Sequence, residues 1–272
     1  MFWVDGKSQQ TVEISDRSFQ YGDGCFTTML VLNGKIINFN DHQHRVDDCL
    51  KALKIHPLNW LEATAWLSNA IQSKSIQNET KFGLKLHVSR GAGGRGYSPL
   101  NVSKPMVTIS TFDYPSHYHN WHHDGVQLGL CQQALGLNPL LAGHKHNNRL
   151  EQILMKDEMD QAQEVDGVVL DISGHVIETT MANLFWRIKD KIYTPQLSQS
   201  GVAGVMRKRV LMALDSTEQF VKIGDYHLDQ LLQADEVFMT NSILGIAPIT
   251  RIKNTHFNIG PVTRSLQGQL NS

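Results

Sequence analysis

The sequence predicts a mixed α/β (α+β) chain folded as two subdomains, and three observations carry that expectation. Phe82, Leu84, Leu86 and Val88 alternate strictly with their neighbours, the period of a half-buried strand. Val46, Cys49, Leu50 and Leu53 fall at i, i+3, i+4 and i+7, one buried face of a helix. At 272 residues, against roughly 150 per domain, the chain has room for one large unit or two modest ones.

The elements follow in order. Asp5-Gly6 and Asn33-Gly34 supply turn dipeptides that tolerate positive φ, so the first forty residues read as two hairpins. Asp41 is the expected N-cap of the Val46 helix, and a second helix is expected over 60–74. The Phe82 strand runs into the glycine-rich loop RGAGGRGYS, and another strand follows at 106–111. The polar stretch 113–125, containing HYHNWHHDG, is the expected interdomain connection, which sets domains at 1–113 and 114–272. Beyond it strands are expected at 126–131, 167–171, 183–188 and 236–240, with helices at 147–162 and 205–213.

Composition excludes several classes. Hydrophobic residues at 41%, charged residues at 19%, and only 21 Gly and 8 Pro describe a globular chain, neither disordered nor collagen-like. A net charge of −1 creates no field for nucleic acid or an acidic membrane, and neither partner is expected. Asp5 and Lys7 interrupt any leading apolar stretch, and no run approaches the ~18 residues of a membrane span. The expected location is cytoplasmic. Cys25, Cys49 and Cys131 lack paired spacing, so reduced thiols are expected, with no zinc site. His117, His119, His122 and His123 lack ligand periodicity and are read as a solvated linker, so no metal is expected.

Several residues could carry chemistry. The glycine loop fails both the P-loop and the dinucleotide fingerprints, while Arg90, Arg95 and Tyr97 suit it to a carboxylate. Lys145 precedes a helix, and Glu178 ends a short strand five residues before Asn183. Gly201 and Gly204 stand before a helix whose Val205 and Met206 amides are free donors for a phosphate. Ser242 offers a hydroxyl at a strand end, and Arg45 projects from its helix opposite the Val46 face.

The order of DRSFQYGDGCFTT, His42-x-x-Arg45, SRGAGGRGY, AGHKHNNRLEQ, Glu178-x4-Asn183, NLFW, GVAGVMR and TNS resembles the fold-type IV family of pyridoxal-phosphate enzymes. That family holds branched-chain and D-amino-acid aminotransferases together with aminodeoxychorismate lyase. The resemblance spans nearly the whole chain, and the Thr27-Thr28 pair, RGxGGRGY and KHxNRLEQ look most like the lyase branch. It implies a small N-terminal α/β domain, a larger C-terminal domain carrying Lys145, pyridoxal 5′-phosphate in the cleft between them, and a homodimer. By the same resemblance Lys145 is the Schiff-base lysine and Glu178 pairs with the pyridine nitrogen. Arg45, the Val205 and Met206 amides and Ser242 hold the phosphate, Val202 packs on the ring, and Asn148 and Arg149 fall near the phenolic oxygen. Arg95 and Tyr97 grip a substrate carboxylate, and Thr28 faces the cofactor side as a hydroxyl donor. The activity implied is elimination of pyruvate from 4-amino-4-deoxychorismate to give 4-aminobenzoate for folate biosynthesis. An aminotransferase on the same scaffold, or a phosphate-binding module without covalent chemistry, are the alternatives.

Overall fold

The computed structural model describes residues 1–76, 79–217 and 219–270, and the chain divides into two compact units. The first comprises Met1–Tyr114 together with His144–Asn148, and the second comprises Pro115–Gly143 and Arg149–Ser272. The break after Tyr114 falls one residue beyond the expected boundary. Lys145, expected with the C-terminal domain, instead packs with the first unit, because its segment is hydrogen-bonded to a strand there.

Both hairpins form where the turn dipeptides stand. Asp5 and Gly6 (φ 45° and 78°) join β1 (Phe2–Val4) to β2 (Lys7–Ser8). Asn33 and Gly34 (φ 49° and 76°) join β3 (Gly24–Leu32) to β4 (Lys35–Ile36). Positive φ at both central residues matches the strand twist, which is why Asn-Gly and Asp-Gly are chosen. Between the hairpins lies α1 (Arg17–Tyr21), capped by the Asp16 carboxylate, which accepts from the Ser18 and Phe19 amides.

α2 (Phe39–Ala52) and α3 (Trp60–Ser75) follow, then β5 (Lys81–Ser89) and β6 (Met106–Asp113). α2 begins earlier than expected: Asn38, at φ 55°, is its N-cap, and Asp41 lies in its first turn. Among the described residues the sheet has six strands in the order β2-β1-β6-β5-β3-β4. One face is the core, where Met29, Val31, Leu84, Leu86, Val88 and Ile109 pack against Val46, Cys49 and Leu50 of α2 and Leu67 of α3. Alternation puts Phe26, Thr28, Lys85 and His87 on the other face.

The chain passes between the units at the start of the polar stretch, after Tyr114, but the histidines beyond it are not an open linker. Residues Tyr118–Asp124 form α4, held because His122 bonds the Leu244 carbonyl and Arg264 donates to the carbonyls of His122 and His123 (2.8 and 2.7 Å). Then come β7 (Val126–Leu130), α5 (Leu150–Gln161), β8 (Gly167–Leu170), β9 (Val176–Thr179), β10 (Asn183–Ile188) and β11 (Lys191–Pro195). α6 (Val205–Asp215), β12 (Val221–Gly224), α7 (Leu228–Leu232), β13 (Glu236–Asn241), β14 (Gly245–Ile252), β15 (Thr255–His256) and α8 (Pro261–Leu270) complete it. The strands run β12-β11-β10-β13-β14-β7-β8-β9, and β9 pairs back onto β10, closing the sheet on itself. The ring β10-β13-β14-β7-β8-β9 therefore has no free edge, while β11, β12 and β15 lie outside it. No described helix is long and apolar enough to cross a membrane.

A buried ion network secures the first unit. Asp23 accepts from Arg17 Nε at 2.8 Å and from Arg90 Nε at 2.7 Å, and Arg90 also donates to the Leu53 and Lys54 carbonyls at 2.8 Å. Burial pushes the Asp23 pKa up, but the hydrogen bonds from Arg90 and Arg17 outweigh it and hold the carboxyl below its usual range. Its contribution is therefore present above the unfolded pKa of about 3.9 and lost as pH falls through the folded value. Asp23→Asn leaves two buried guanidinium groups uncompensated and should cost on the order of 3 kcal/mol at neutral pH, read from urea denaturation. The gap between parent and variant should close in acid.

Candidate active site

Lys145 is placed by backbone pairing. Phe26 N–H donates to the Lys145 carbonyl at 3.0 Å and Asn147 N–H to the Gly24 carbonyl at 2.9 Å, with His146 opposite Cys25 in an antiparallel bridge. The segment thus adds a short bridge to the β3 edge, and helix α5 starts at Leu150 rather than 147 because residues 145–147 are taken up in that pairing. Period-two alternation turns His146 toward the helix-covered side and Lys145 and Asn147 toward the open face. Accordingly, Lys145 Nζ stands 4.7 Å from the centroid of the Phe26 ring. Gly24 is required by the closeness of the approach: a Cβ there would lie 2.1 Å from the Val88 carbonyl and 2.6 Å from Asn147 Nδ2.

Side chains brace the same segment. Asn147 Nδ2 donates to Ser18 Oγ at 2.7 Å and to His87 Nε2 at 2.9 Å, while His87 Nδ1 lies 3.1 Å from Thr108 Oγ1. Burial, with a smaller push from Lys85, lowers the His87 pKa to about 4, so the ring is neutral and Nε2 can accept. Thr28, expected on the cofactor side, shares the open face with Phe26 and lies opposite Lys85.

Arg45 lies behind β3. Its Nη2 donates to Thr27 Oγ1, whose side chain belongs to the helix-covered face, and Thr27 Oγ1 is 2.7 Å from His42 Nδ1. Arg45, expected opposite the Val46 face, reaches Thr27 across the helix–sheet contact, and its Nε is buried without a hydrogen-bond partner. Burial pushes the guanidinium pKa down to about 10 and that of His42 to about 3. A buried guanidinium with an unused donor is a position for an anion.

In the second unit Glu178 is buried, and the β9–β10 turn sets it directly opposite Asn183. Glu178 Oε2 accepts from the Val202 amide at 3.0 Å. Asn183 Nδ2 donates to the Val202 carbonyl at 2.8 Å, and Asn183 Oδ1 accepts from the Gly204 amide at 3.1 Å. One amide side chain therefore ties the carboxylate strand to the start of α6. Gly204 is the N-cap of that helix and supplies no side-chain hydrogen bond, leaving the first-turn amides of Val205 and Met206 as a second anion position. Ser242 lies in the turn after β13, where Asn241 Oδ1 accepts the Ile243 and Leu244 amides at 2.9 and 2.8 Å. Arg149 precedes α5, and Asn148, in the first unit, donates from Nδ2 to the Gly22 carbonyl at 3.0 Å.

The structure thus groups Lys145 with Thr28, and Glu178 with Val202 and the α6 terminus. Arg95 and Tyr97 stay on the exposed glycine loop, with Tyr97 88% exposed and edge-on to Tyr21 at 5.6 Å. Arg17 fixes that loop through the carbonyls of Gly96 and Tyr97 at 3.0 and 3.1 Å. Phe26, His87 and Asn183 escaped the sequence reading as site residues, although Glu178-x4-Asn183 was a visible spacing.

Residues 24–252 match the family described as amino-transferase class IV. The chain belongs to that family. It is 50% identical over 276 residues to the aminodeoxychorismate lyase of Vibrio harveyi, covering the whole of both chains. Its structure matches that of 4-amino-4-deoxychorismate lyase from Pseudomonas aeruginosa with a TM-score of 0.92 and 33% identity, covering 99% of this chain and 97% of that one. A hypothetical aminotransferase from Mycobacterium tuberculosis in a PLP-bound form shares the class IV fold, with a TM-score of 0.86 at 14% identity and cover of 98% and 96%.

Asn183→Leu would orphan the Val202 carbonyl and the Gly204 amide. Stability should fall by roughly 1–3 kcal/mol. A thermal melt with an unshifted Tm would show that Asn183 is not the tie described.

Proposed function

We propose that this chain is a pyridoxal 5′-phosphate-dependent lyase that converts 4-amino-4-deoxychorismate to 4-aminobenzoate and pyruvate. The observation that carries the reading is its 50% identity, over its full length, to a protein named aminodeoxychorismate lyase. The residues fit the cofactor. The unused Nε of buried Arg45 and the uncapped first turn of α6, at Val205 and Met206, suit a phosphate, and Ser242 adds a hydroxyl. Val202, its amide on Glu178, would pack against the ring, and Asn148 and Arg149 would serve its phenolic oxygen.

When bound, the cofactor supplies an electron sink for the carbanion formed beside the substrate nitrogen. Glu178 holds a proton at the ring nitrogen, and its bonds to Val202 and Asn183 keep that carboxylate in place. Lys145 would hold the cofactor covalently at rest, and its Nζ, when free, would take the proton from the amine-bearing carbon of the substrate. Thr28 donates its hydroxyl hydrogen bond to the enolpyruvyl ether oxygen as the carbon–oxygen bond breaks. The two products account for every atom of the substrate, so no amino acceptor is needed.

Arg95 and Tyr97 are assigned to a substrate carboxylate within a homodimer. Ile14, Phe19 and Leu100 are exposed apolar side chains of the first unit, available to an association between two copies. The free, buried Cys25, Cys49 and Cys131 accord with a cytoplasmic location.

Incubation with aminodeoxychorismate should yield pyruvate and 4-aminobenzoate without amino transfer, whereas transfer to a keto acid would instead make the chain an aminotransferase. Borohydride reduction should fix the cofactor on Lys145, and Lys145→Ala should lose both that adduct, by mass spectrometry, and turnover. Thr28→Val should keep the adduct yet release pyruvate about 100-fold or more slowly. Release at the parental rate would remove Thr28 from the mechanism.

A further inference from the structure

Two histidines of the second unit stand ring to ring outside the candidate active site. His175 immediately precedes β9 and His227 precedes α7, and the two form an isolated antiparallel bridge, beside which the Val176 N–H donates to the Tyr226 carbonyl at 2.8 Å. Side chains directly opposite across such a bridge have Cβ atoms about 5 Å apart. The two imidazole centroids are 4.9 Å apart and the ring planes are tilted by 41°. His175 is half-buried and His227 is exposed, so solvent reaches both rings.

Each ring has an acceptor at the same nitrogen. His175 Nδ1 lies 3.5 Å from Asp171 Oδ2, and His227 Nδ1 lies 3.3 Å from the Gly174 carbonyl. A carboxylate and a carbonyl only accept, so the neutral rings carry their hydrogen on Nδ1 and keep a lone pair on Nε2. Asp171 is itself fixed: it is buried, and its Oδ1 accepts the Ser173 and His175 amides at 2.9 Å. An acceptor behind the ring is what sets the tautomer and the direction of a metal-ligating histidine. Here both members of one pair have it.

We propose that His175 and His227 form a chelating site for a divalent late-transition ion of the zinc and nickel class. Imidazole nitrogen suits those ions, whereas magnesium and calcium prefer oxygen. Zinc–nitrogen bonds of about 2.0–2.1 Å set two ligand nitrogens roughly 3.3 Å apart, which rings at this centroid separation span when both nitrogens turn inward. No group of three or more His, Cys, Asp or Glu side chains suited to a metal is found among the described residues, so the chain supplies two positions and water the others. No local spacing announces the pair, because the two histidines lie more than fifty residues apart in the sequence. The ion staples the β8–β9 turn to the start of α7, and its effect is on stability rather than on the reaction. The inference is therefore independent of the lyase reading.

The test uses the cofactor-loaded, chelator-stripped enzyme with His175→Ala, His227→Ala, Asp171→Asn and His123→Ala. His123 is the control, an exposed histidine of α4 whose Nδ1 lies 2.7 Å from Asp124. Nickel chloride, zinc chloride and magnesium chloride are titrated calorimetrically, and each protein is melted with and without nickel. The parent should bind nickel and zinc but not magnesium, and its Tm should rise with the ion, since a ligand held only by the folded state stabilises it. His175→Ala and His227→Ala should each weaken nickel binding by at least ~100-fold, the upper end of what changes behind a ligand cost. Asp171→Asn should weaken it by about 10-fold, because the amide keeps the turn acceptor while losing the carboxylate behind His175. His123→Ala should match the parent. His227 is exposed, so its truncation should leave the ion-free Tm at the parental value and a lost titration cannot be laid to unfolding. A parent that binds no nickel would overturn the inference, as would unchanged affinity and Tm rise in His175→Ala or His227→Ala. Loss of binding in His123→Ala would overturn it too, by placing the ion on α4.

Discussion

The first unit depends on two backbone hydrogen bonds at the edge of β3, from Phe26 N–H to Lys145 and from Asn147 N–H to Gly24. Edge amides and carbonyls must find partners, and here they find them in a segment that arrives from more than a hundred residues away. Once that pairing exists, alternation alone sends the Lys145 side chain onto the Phe26 face. The glycine at position 24, the neutral His87 and the amide of Asn147 serve the same end, which is to fix the direction of one flexible lysine. Four rotatable bonds in that side chain would otherwise leave its amine undirected.

The second unit solves a comparable problem with a carboxylate. Glu178 and Asn183 face each other across a tight turn, and the same turn closes the sheet. The Asn183 side chain then bonds the Val202 carbonyl and the Gly204 amide, so strand closure and helix start are one arrangement. Buried Glu178 is satisfied in part by a main-chain amide, which offsets part of the cost of its burial.

What was legible in the sequence divides along physical lines. Asp5-Gly6, Asn33-Gly34 and the Phe82–Val88 alternation are local signals, and the structure has a hairpin or strand at each. The α4 helix was not legible because its residues are polar and aromatic, and it is held by partners distant in sequence: His122 bonds the Leu244 carbonyl, and Arg264 donates to the His122 and His123 carbonyls. The start of α5 was misjudged for the same reason, since residues before Leu150 are drawn into a strand pairing that no local pattern announces. Lys145 and Glu178 stood out through motif order, whereas Phe26, His87 and Asn183 act through a ring face, a tautomer and an amide. Such roles exist only once the fold is made.

The discontinuity of the first unit also bears on how the chain is synthesised. A ribosome releases residues 115–143, which belong to the second unit, before the piece that completes the β3 edge. Until residue 148 emerges, the Gly24–Phe26 edge carries unmatched backbone groups, the kind of template on which nascent chains stick to one another. A fragment ending at Tyr114 inherits that defect permanently, so the two units are not separable by cutting the gene at their boundary. Circular permutation offers the opposite route: new termini opened within 115–143 would keep residues 144–148 joined to the second unit while freeing the link that now delays them.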